Sequence, residues 1–273
     1  MTPIWEKTML KTLLMTGAAG GVGQALRPLL SQIAEAVVLS DIAPIDDLRP
    51  NERFIACDLA DRGGVEALVK GVDGIIHLGG ISLEKSFDLI LQGNIIGLYN
   101  LYEAARAAGK PRIIFASSNH TIGYYRRDER IDNTVPTRPD SLYGVSKVYG
   151  EALASLYFDK FGQETLSVRI GSCFPEPRNP RMLATWLSAR DLMTLCDRAF
   201  ETPRLGHTIV YGASDNDEQW WDNRNAAFLG WKPKDSSSPW RAEVLANAAP
   251  EDPNDPAVIY QGGGFAAAGH PED

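Results

Sequence analysis

Tyr143 and Lys147 stand four residues apart in "YGVSK", a spacing that puts both side chains on one face of a helix. A phenol with an ordinary pKa of about 10 is too weak an acid to serve as a base at neutral pH. An adjacent ammonium and a cationic nicotinamide ring would favour the phenolate and bring it into working range. Ser118 closes the apolar run "RIIFASS", where its hydroxyl can hydrogen-bond an oxygen that is losing its proton. Ser118, Tyr143 and Lys147 are thus suited to taking a hydroxyl proton while hydride leaves the same carbon. Ser117, Asn119 and His120 crowd the same strand end, and polar groups there are costly unless each has a partner.

Hydride needs an acceptor, and the first apolar run ends in "TGAAGGVG", residues 16–23. Gly17, Gly20 and Gly23 fall in a GxxGxxG spacing with Gly21 and Val22 between them. Such a turn lets the backbone approach a pyrophosphate closely, and the helix that follows presents oriented N–H groups to it. Asp41 ends the second strand about twenty residues on, where a carboxylate accepts from both ribose hydroxyls and repels a 2′-phosphate. The "IAP" after it offers no arginine for such a phosphate, so the expected cofactor is NAD rather than NADP. Asp58 and Leu59 in "CDLAD" end the third predicted strand on the same edge, beside the adenine. A bare capping role is the simpler alternative for Asp41 and, more strongly, for Asp58.

Positioning these groups requires alternating strands and helices. "LKTLLMTG", "AVVLSD", "RFIACDLAD", "GIIHLGG", "RIIFASS" and "TLSVRIGS" read as strands. Between them, "VGQALRPLLSQIA", "GGVEALVKG", a stretch of "FDLILQGNIIGLYNLYEAARAAG" and "LYGVSKVYGEALASLYFDKFG" read as helices. The alternation predicts an α/β protein of Rossmann type, a doubly wound parallel sheet. Beyond Ser172 the rhythm breaks in the Pro-rich "CFPEPRNPRM", expected to be irregular, before helix "ARDLMTLCDRAFE" and strand "HTIVYGAS". Residues 9–172 are therefore read as the NAD-binding core. Residues 173–273 are read as a small substrate-binding cap and tail over the sheet's carboxyl edge, packed with the core as one globular unit.

The 273 residues can bury a substantial core without disulfides or structural metal, and 44% of them are hydrophobic. With 35 acidic against 27 basic residues the formal charge is −8, which disfavours nucleic acid and anionic membranes and favours a small-molecule partner or another copy of the chain. Cys57, Cys173 and Cys196 are odd in number and in no CxxC pair, as expected of reduced thiols in the cytoplasm. The N-terminal stretch has no signal-like apolar region, its first eight residues read as a leader, and no later run approaches a membrane span.

On "TGAAGGVG", Asp41, "CDLAD", "HLGG", Ser118 and "YGVSK", the chain resembles the short-chain dehydrogenase/reductase superfamily, in its epimerase/dehydratase branch. That resemblance implies Tyr143 as acid or base, Lys147 on the nicotinamide ribose, Ser118 as the third catalytic group, and backbone contacts to the cofactor from Leu78, Gly79 and Gly80. Longer stretches, "HLGGISLEKSF", "LQGNIIGLYNLYEAAR", "FASSNHTIGYY", "YFDKFGQET", "RIGSCFPEP" and "FLGWKPKD", are similar to those of the uronate dehydrogenases. This implies oxidation of a hexuronic acid at C1 to its aldarolactone.

Substrate contacts are then implied for Ser82, Ser118, Asn119, His120, Tyr143, Ser172 and Arg181. Arg181 is favoured over Arg178 as the clamp on the carboxylate. The resemblance also implies a homo-oligomer paired through helices near residues 88–108 and 142–161. A nucleotide-sugar epimerase, dehydratase or reductase is the alternative enzyme, and a non-catalytic NAD sensor the alternative of another class. The first would need a nucleotide pocket near Trp220, Trp221, Trp231 and Trp240, residues read more simply as anchors of the cap.

Overall fold

Most of the apolar runs become strands, nine in chain order among the described residues: β1 (Leu10–Thr16), β2 (Ala34–Asp41), β3 (Glu52–Ala56), β4 (Gly74–His77), β5 (Arg112–Ser118), β6 (Ile131–Asp132), β7 (Thr165–Ile170), β8 (His207–Gly212) and β9 (Trp221–Asp222). The structure, a computed structural model, describes residues 9–271, so the leader expected over the first eight residues lies outside it. Seven strands pair in parallel in the order β3-β2-β1-β4-β5-β7-β8, while β6 and β9 pair with each other. Strand order reverses between β1 and β4, which opens a crevice at their carboxyl ends, the place where this fold binds ligands.

Helices α1 (Gly21–Leu26), α2 (Arg62–Val69), α3 (Phe87–Ile90), α4 (Gly97–Ala107), α5 (Leu142–Phe161), α6 (Pro180–Thr185) and α7 (Ala189–Glu201) follow in chain order, and the short α8 (Arg241–Ala246), α9 (Pro256–Ile259) and α10 (Gly264–Ala267) complete the chain. One sheet face packs Leu13 and Met15 against Leu26, Leu30 and Ile33, and against Leu192, Leu195 and Ala199 of α7. The other packs Leu14 and Ile75 against Val65 and Leu68 of α2, Leu98 and Leu101 of α4, and Leu153 and Tyr157 of α5. Each fully buried aliphatic side chain contributes about 1.5–3 kcal/mol. The doubly wound arrangement expected from the alternation is therefore the one observed.

Several boundaries differ from the sequence reading, each for a local reason. The first helix changes at Arg27 into a 3-10 turn, Arg27–Gln32, because Pro28 has no N–H to continue the α ladder. β3 stops at Ala56, and Asp58 and Leu59 lie in the following turn, where the Asp58 carboxylate accepts from Ala60 N at 2.9 Å. The long helix over residues 87–107 carries a π turn at Leu91–Ile96. There Asn94 is buried, accepting from Ile81 N and donating to Ile81 O and to Ser146 Oγ. The Pro-rich loop gives way to α6, started by Asn179 accepting from Met182 N with Pro180 at the first helical position. The sheet also does not end at residue 172: β8 pairs with β7, and α7 packs on the core. Of the segment assigned to a cap, this part belongs to the core.

One buried network joins sheet and helix beneath the carboxyl edge. Arg169, 2% exposed, donates to both Glu151 oxygens at 2.9 and 2.8 Å, and Ser117 Oγ donates to Oε1 at 2.6 Å. Arg169 Nη1 reaches Tyr211 Oη at 3.1 Å, and that hydroxyl donates to Asp132 O. Removing one partner of a buried ion pair leaves the other uncompensated, at about 3–5 kcal/mol. Glu151→Ala is expected to lower the unfolding free energy by roughly that amount in urea titration. The double variant Glu151→Leu with Arg169→Met should recover most of the loss; equal destabilisation of both would show that packing, not charge, holds this region.

Candidate active site

Two clefts meet at the carboxyl edge. The first, about 420 Å³, is lined by the glycine turn, Asp41, Asp58, Leu59, Leu78, Gly79 and Gly80. Gly17, Gly20, Gly21, Val22 and Gly23 all face it, so every residue expected at the cofactor's adenosine and pyrophosphate lines this cleft. Gly17 has φ +69°, and a Cβ there would lie 2.5 Å from the Leu78 carbonyl carbon. Only glycine allows the turn to close on the end of β4. Gly80, at φ +123°, would meet Asn94 Oδ1 at 2.6 Å. Asp41 accepts from Ala19 N at 3.0 Å and Ala43 N at 3.2 Å, so it braces the glycine turn while facing the cleft. Tight glycine turn, acidic residue and open crevice fit a dinucleotide.

The second cleft, about 430 Å³, shares Val22, Leu78, Gly80, Ile81 and Ser82 with the first. It brings together Ser118, His120, Tyr143, Lys147, Ser172 and Arg181 from four separate segments. Ser141 caps α5 by accepting from Gly144 N, and Glu84 accepts from Leu142 N and Tyr143 N at 2.9 and 2.8 Å. That carboxylate at the positive end of the helix fixes the turn bearing Tyr143. Lys147, one turn on, donates to Ala116 O at 2.8 Å and lies 5.5 Å from the Tyr143 ring centre.

Burial dominates the electrostatics. It pushes Tyr143 up to about 12, against the pull of a hydrogen bond with Ser118, and it pushes Lys147 down to about 8. The ammonium alone therefore does not bring the phenol into working range, which leaves that part of the expectation to the cofactor's cationic ring. His77, at the end of β4, is pushed down to about 3 by burial and by Lys147; it bonds Thr16 Oγ1 at 2.7 Å as a neutral ring.

Arg181 is the unusual cation. Its Nε donates to Gln261 O at 2.7 Å and its Nη1 reaches Ser172 Oγ at 3.4 Å. With the Asn119 amide oriented to satisfy its neighbours, Oδ1 accepts from Arg181 Nη2 at 2.7 Å and Nδ2 donates to Ile170 O. Burial lowers Arg181 to about 10. It forms none of the ion pairs seen among the described residues. Arg178, by contrast, is exposed and stacks on Phe174 at 4.4 Å, outside the cleft. Asn119 does not line the cleft but sits 1% exposed behind it. Ser82 faces both clefts and caps no helix, since Ser86 precedes α3.

Sequence reasoning missed Glu84, Asn94, Asp140, Gln261 and Phe265. Phe265 stacks on His120 at 3.9 Å between ring centres and lines the second cleft. The tail thereby supplies a wall of this chain's own site. Trp220 and Trp221 are buried with Ile122 and Tyr211, as core anchors would be.

The reversed strand order, glycine turn and paired clefts define a dinucleotide-binding protein of the dehydrogenase/epimerase type. A sequence model described as the NAD dependent epimerase/dehydratase family matches residues 13–190. The uronate dehydrogenase of Pseudomonas putida is 59% identical over 263 residues, 96% of this chain and 98% of that protein. The crystal structure of glucuronic acid dehydrogenase from Chromohalobacter salexigens superposes with a TM-score of 0.96 at 63% identity, covering 97% of this chain and 100% of that one. A tyrosine-to-alanine mutant of Agrobacterium tumefaciens uronate dehydrogenase complexed with NAD gives 0.93 at 58% identity, covering 95% and 98%. The chain belongs to the NAD dependent epimerase/dehydratase family and, within it, to the uronate dehydrogenases.

The lysine generates a prediction of its own. Its folded pKa of about 8 lies below the ordinary 10.5, so between those values the unfolded chain binds more protons and stability rises with pH. Relative to Lys147→Met, the wild-type protein should gain about 2–3 kcal/mol between pH 7 and pH 10.5. Urea unfolding of both proteins at the two pH values measures this; a constant difference would mean that Lys147 is not held near 8.

Proposed function

We propose that this protein oxidises a hexuronic acid, glucuronate or galacturonate, at C1 of the closed ring to the aldarolactone, with hydride passing to NAD. The observation that carries the reading is Arg181, a part-buried arginine that faces the cleft and lies outside every ion pair among the described residues. A uronate brings one carboxylate, which accepts the remaining N–H groups of the fork and restores the charge balance that burial upsets. Ser82, His120 and Ser172 line the same cleft and suit sugar hydroxyls. Asn119 supports recognition from behind, by holding Arg181. The activities named for relatives at 59% and 63% identity support the same substrate class.

In this reading Tyr143 takes the proton of the C1 hydroxyl as the C1–H bond breaks, and Ser118 holds the oxygen as it becomes the lactone carbonyl. The first cleft and Lys147 hold the cofactor, with Asp41 on its ribose. Bound in oxidised form, NAD supplies a hydride-accepting ring whose positive charge also favours the Tyr143 phenolate. Lys147 keeps its ammonium beside the phenol, fixed by the Ala116 carbonyl.

We also infer a homo-oligomer in the cytoplasm. Leu89 and Tyr99 on the α3–α4 stretch and Val145 and Leu156 on α5 are 42–51% exposed, which supports pairing through these helices. The charge of −8 and three free cysteines support a reducing compartment without nucleic acid. No helix among the described residues is long and apolar enough to cross a membrane. Light scattering that returns a monomer would sink the pairing.

NADH absorbance should rise when the protein meets NAD with glucuronate or galacturonate, and stay flat with neutral sugars and nucleotide sugars. Silence across the uronates would overturn the reading. Arg181→Met should raise the uronate KM by about a hundredfold or more, the loss expected for a charge-assisted fork, with NAD binding unchanged. Tyr143→Phe should lower kcat by about a thousandfold while NAD affinity holds, and retained turnover would remove Tyr143 as the base.

A further inference from the structure

The Asp140 side chain is 0% exposed, yet its carboxylate belongs to none of the roles derived above. His120 Nδ1 lies 2.8 Å from Oδ2, and Ser141 Oγ donates to Oδ1 at 2.9 Å. Two glycines from distant parts of the chain close over the group. A Cβ on either Gly123 or Gly262 would lie 1.8 Å from Oδ2, so any side chain at these positions would displace the carboxylate. The imidazole is held as firmly, stacked on Phe265 at 3.9 Å and 28° and edge-on to Tyr143 at 5.7 Å and 65°. His120 lines the second cleft. With Nδ1 committed to a buried carboxylate, Nε2 is the ring nitrogen left for a ligand.

We propose that Asp140 is a positioning residue: it accepts from His120 Nδ1–H, fixes the ring's tautomer and plane, and so presents Nε2 as the atom that pairs with a hydroxyl of the sugar. This rests on the uronate reading given above. The pairing explains why a carboxylate sits behind a site built for an anion. An acceptor-only group with its oxygens on His120 and Ser141 orients the ring without entering the cleft. Phe265 keeps the ring from turning about its Cβ–Cγ bond, which ties the tail to substrate recognition.

A double-mutant cycle between Asp140→Asn and His120→Ala tests this. Asp140→Asn should raise the uronate KM by about ten- to a hundredfold, with kcat changed far less and the NAD KM unmoved. In the His120→Ala background the same change should have almost no further effect. A KM increase of equal size in both backgrounds, or a parallel rise in the NAD KM, would overturn the proposal and leave Asp140 a structural group. If Asp140→Asn fails to fold, nitrogen NMR of wild-type protein labelled at histidine reads the tautomer directly. A proton on Nδ1 of His120 is expected, and its absence overturns the assignment. Failure of wild-type protein to turn over uronates would instead sink the underlying function, so the two failures are distinguishable.

Discussion

The ion pair between Arg169 and Glu151 is the constraint on which the site's geometry depends. It joins β7 to α5, and through Ser117 and Tyr211 it takes in β5 and β8. Glu151 lies one helical turn beyond Lys147, and Ser117 directly precedes Ser118. The strand end carrying the proposed oxygen-holding hydroxyl is therefore fixed relative to the helix carrying the proposed base. A hydrophobic pair of similar volume could have filled this space at little cost in stability. Directional hydrogen bonds add what such packing lacks, a single register of helix against strand.

Above that network the site is assembled at the expense of stability. Desolvation holds the buried Tyr143 and Lys147 and the part-buried Arg181 far from their ordinary pKa values, Tyr143 upward and the two cations downward. Structural ion pairs do the reverse, as Arg27 does between Asp47 and Glu52, where the guanidinium is pushed up. The contrast separates charges that complete the fold from those proposed to meet a ligand. Cys173 and Cys196 show why the direction alone is not enough. Burial pushes both up to about 12, but they face no cleft chemistry and remain inert thiols.

How much of this was legible in the sequence follows from the range of each interaction. The parallel sheet was readable because strand and helix periods are local, and the glycine turn because Gly17, Gly20 and Gly23 fall in one short stretch that lines a single cleft. Pro28 and the π turn at residues 91–96 were not read, since each is a local departure inside an otherwise helical pattern. Asn179 and Pro180 did carry a helix-start signal, outweighed by the surrounding prolines. Glu84 capping α5 acts over 58 residues, and Gln261 holding Arg181 over 80. No spacing announces such pairs. Asp140 was hidden differently: it directly precedes the helix-capping Ser141, where an acidic residue is ordinary, and its partner His120 lies 20 residues away.

The four residues Ser117 to His120 show how chemistry and recognition can be separated without being moved apart. In β5 the backbone is extended, so Ser117 and Ser118 project to opposite faces, one toward Glu151 beneath the sheet edge and one toward Tyr143. At Asn119 the chain turns into a 3-10 helix, which breaks the two-residue alternation and redirects the next side chains. Asn119 then meets Arg181, and His120 meets Asp140. A strand continuing past Ser118 would have sent Asn119 back under the sheet and left Arg181 without its inner partner. The change of backbone at residue 119, more than the identity of any single side chain, lets one tetrapeptide brace the fold, offer the hydroxyl proposed to hold the reacting oxygen, and supply or hold the two groups proposed to read the sugar.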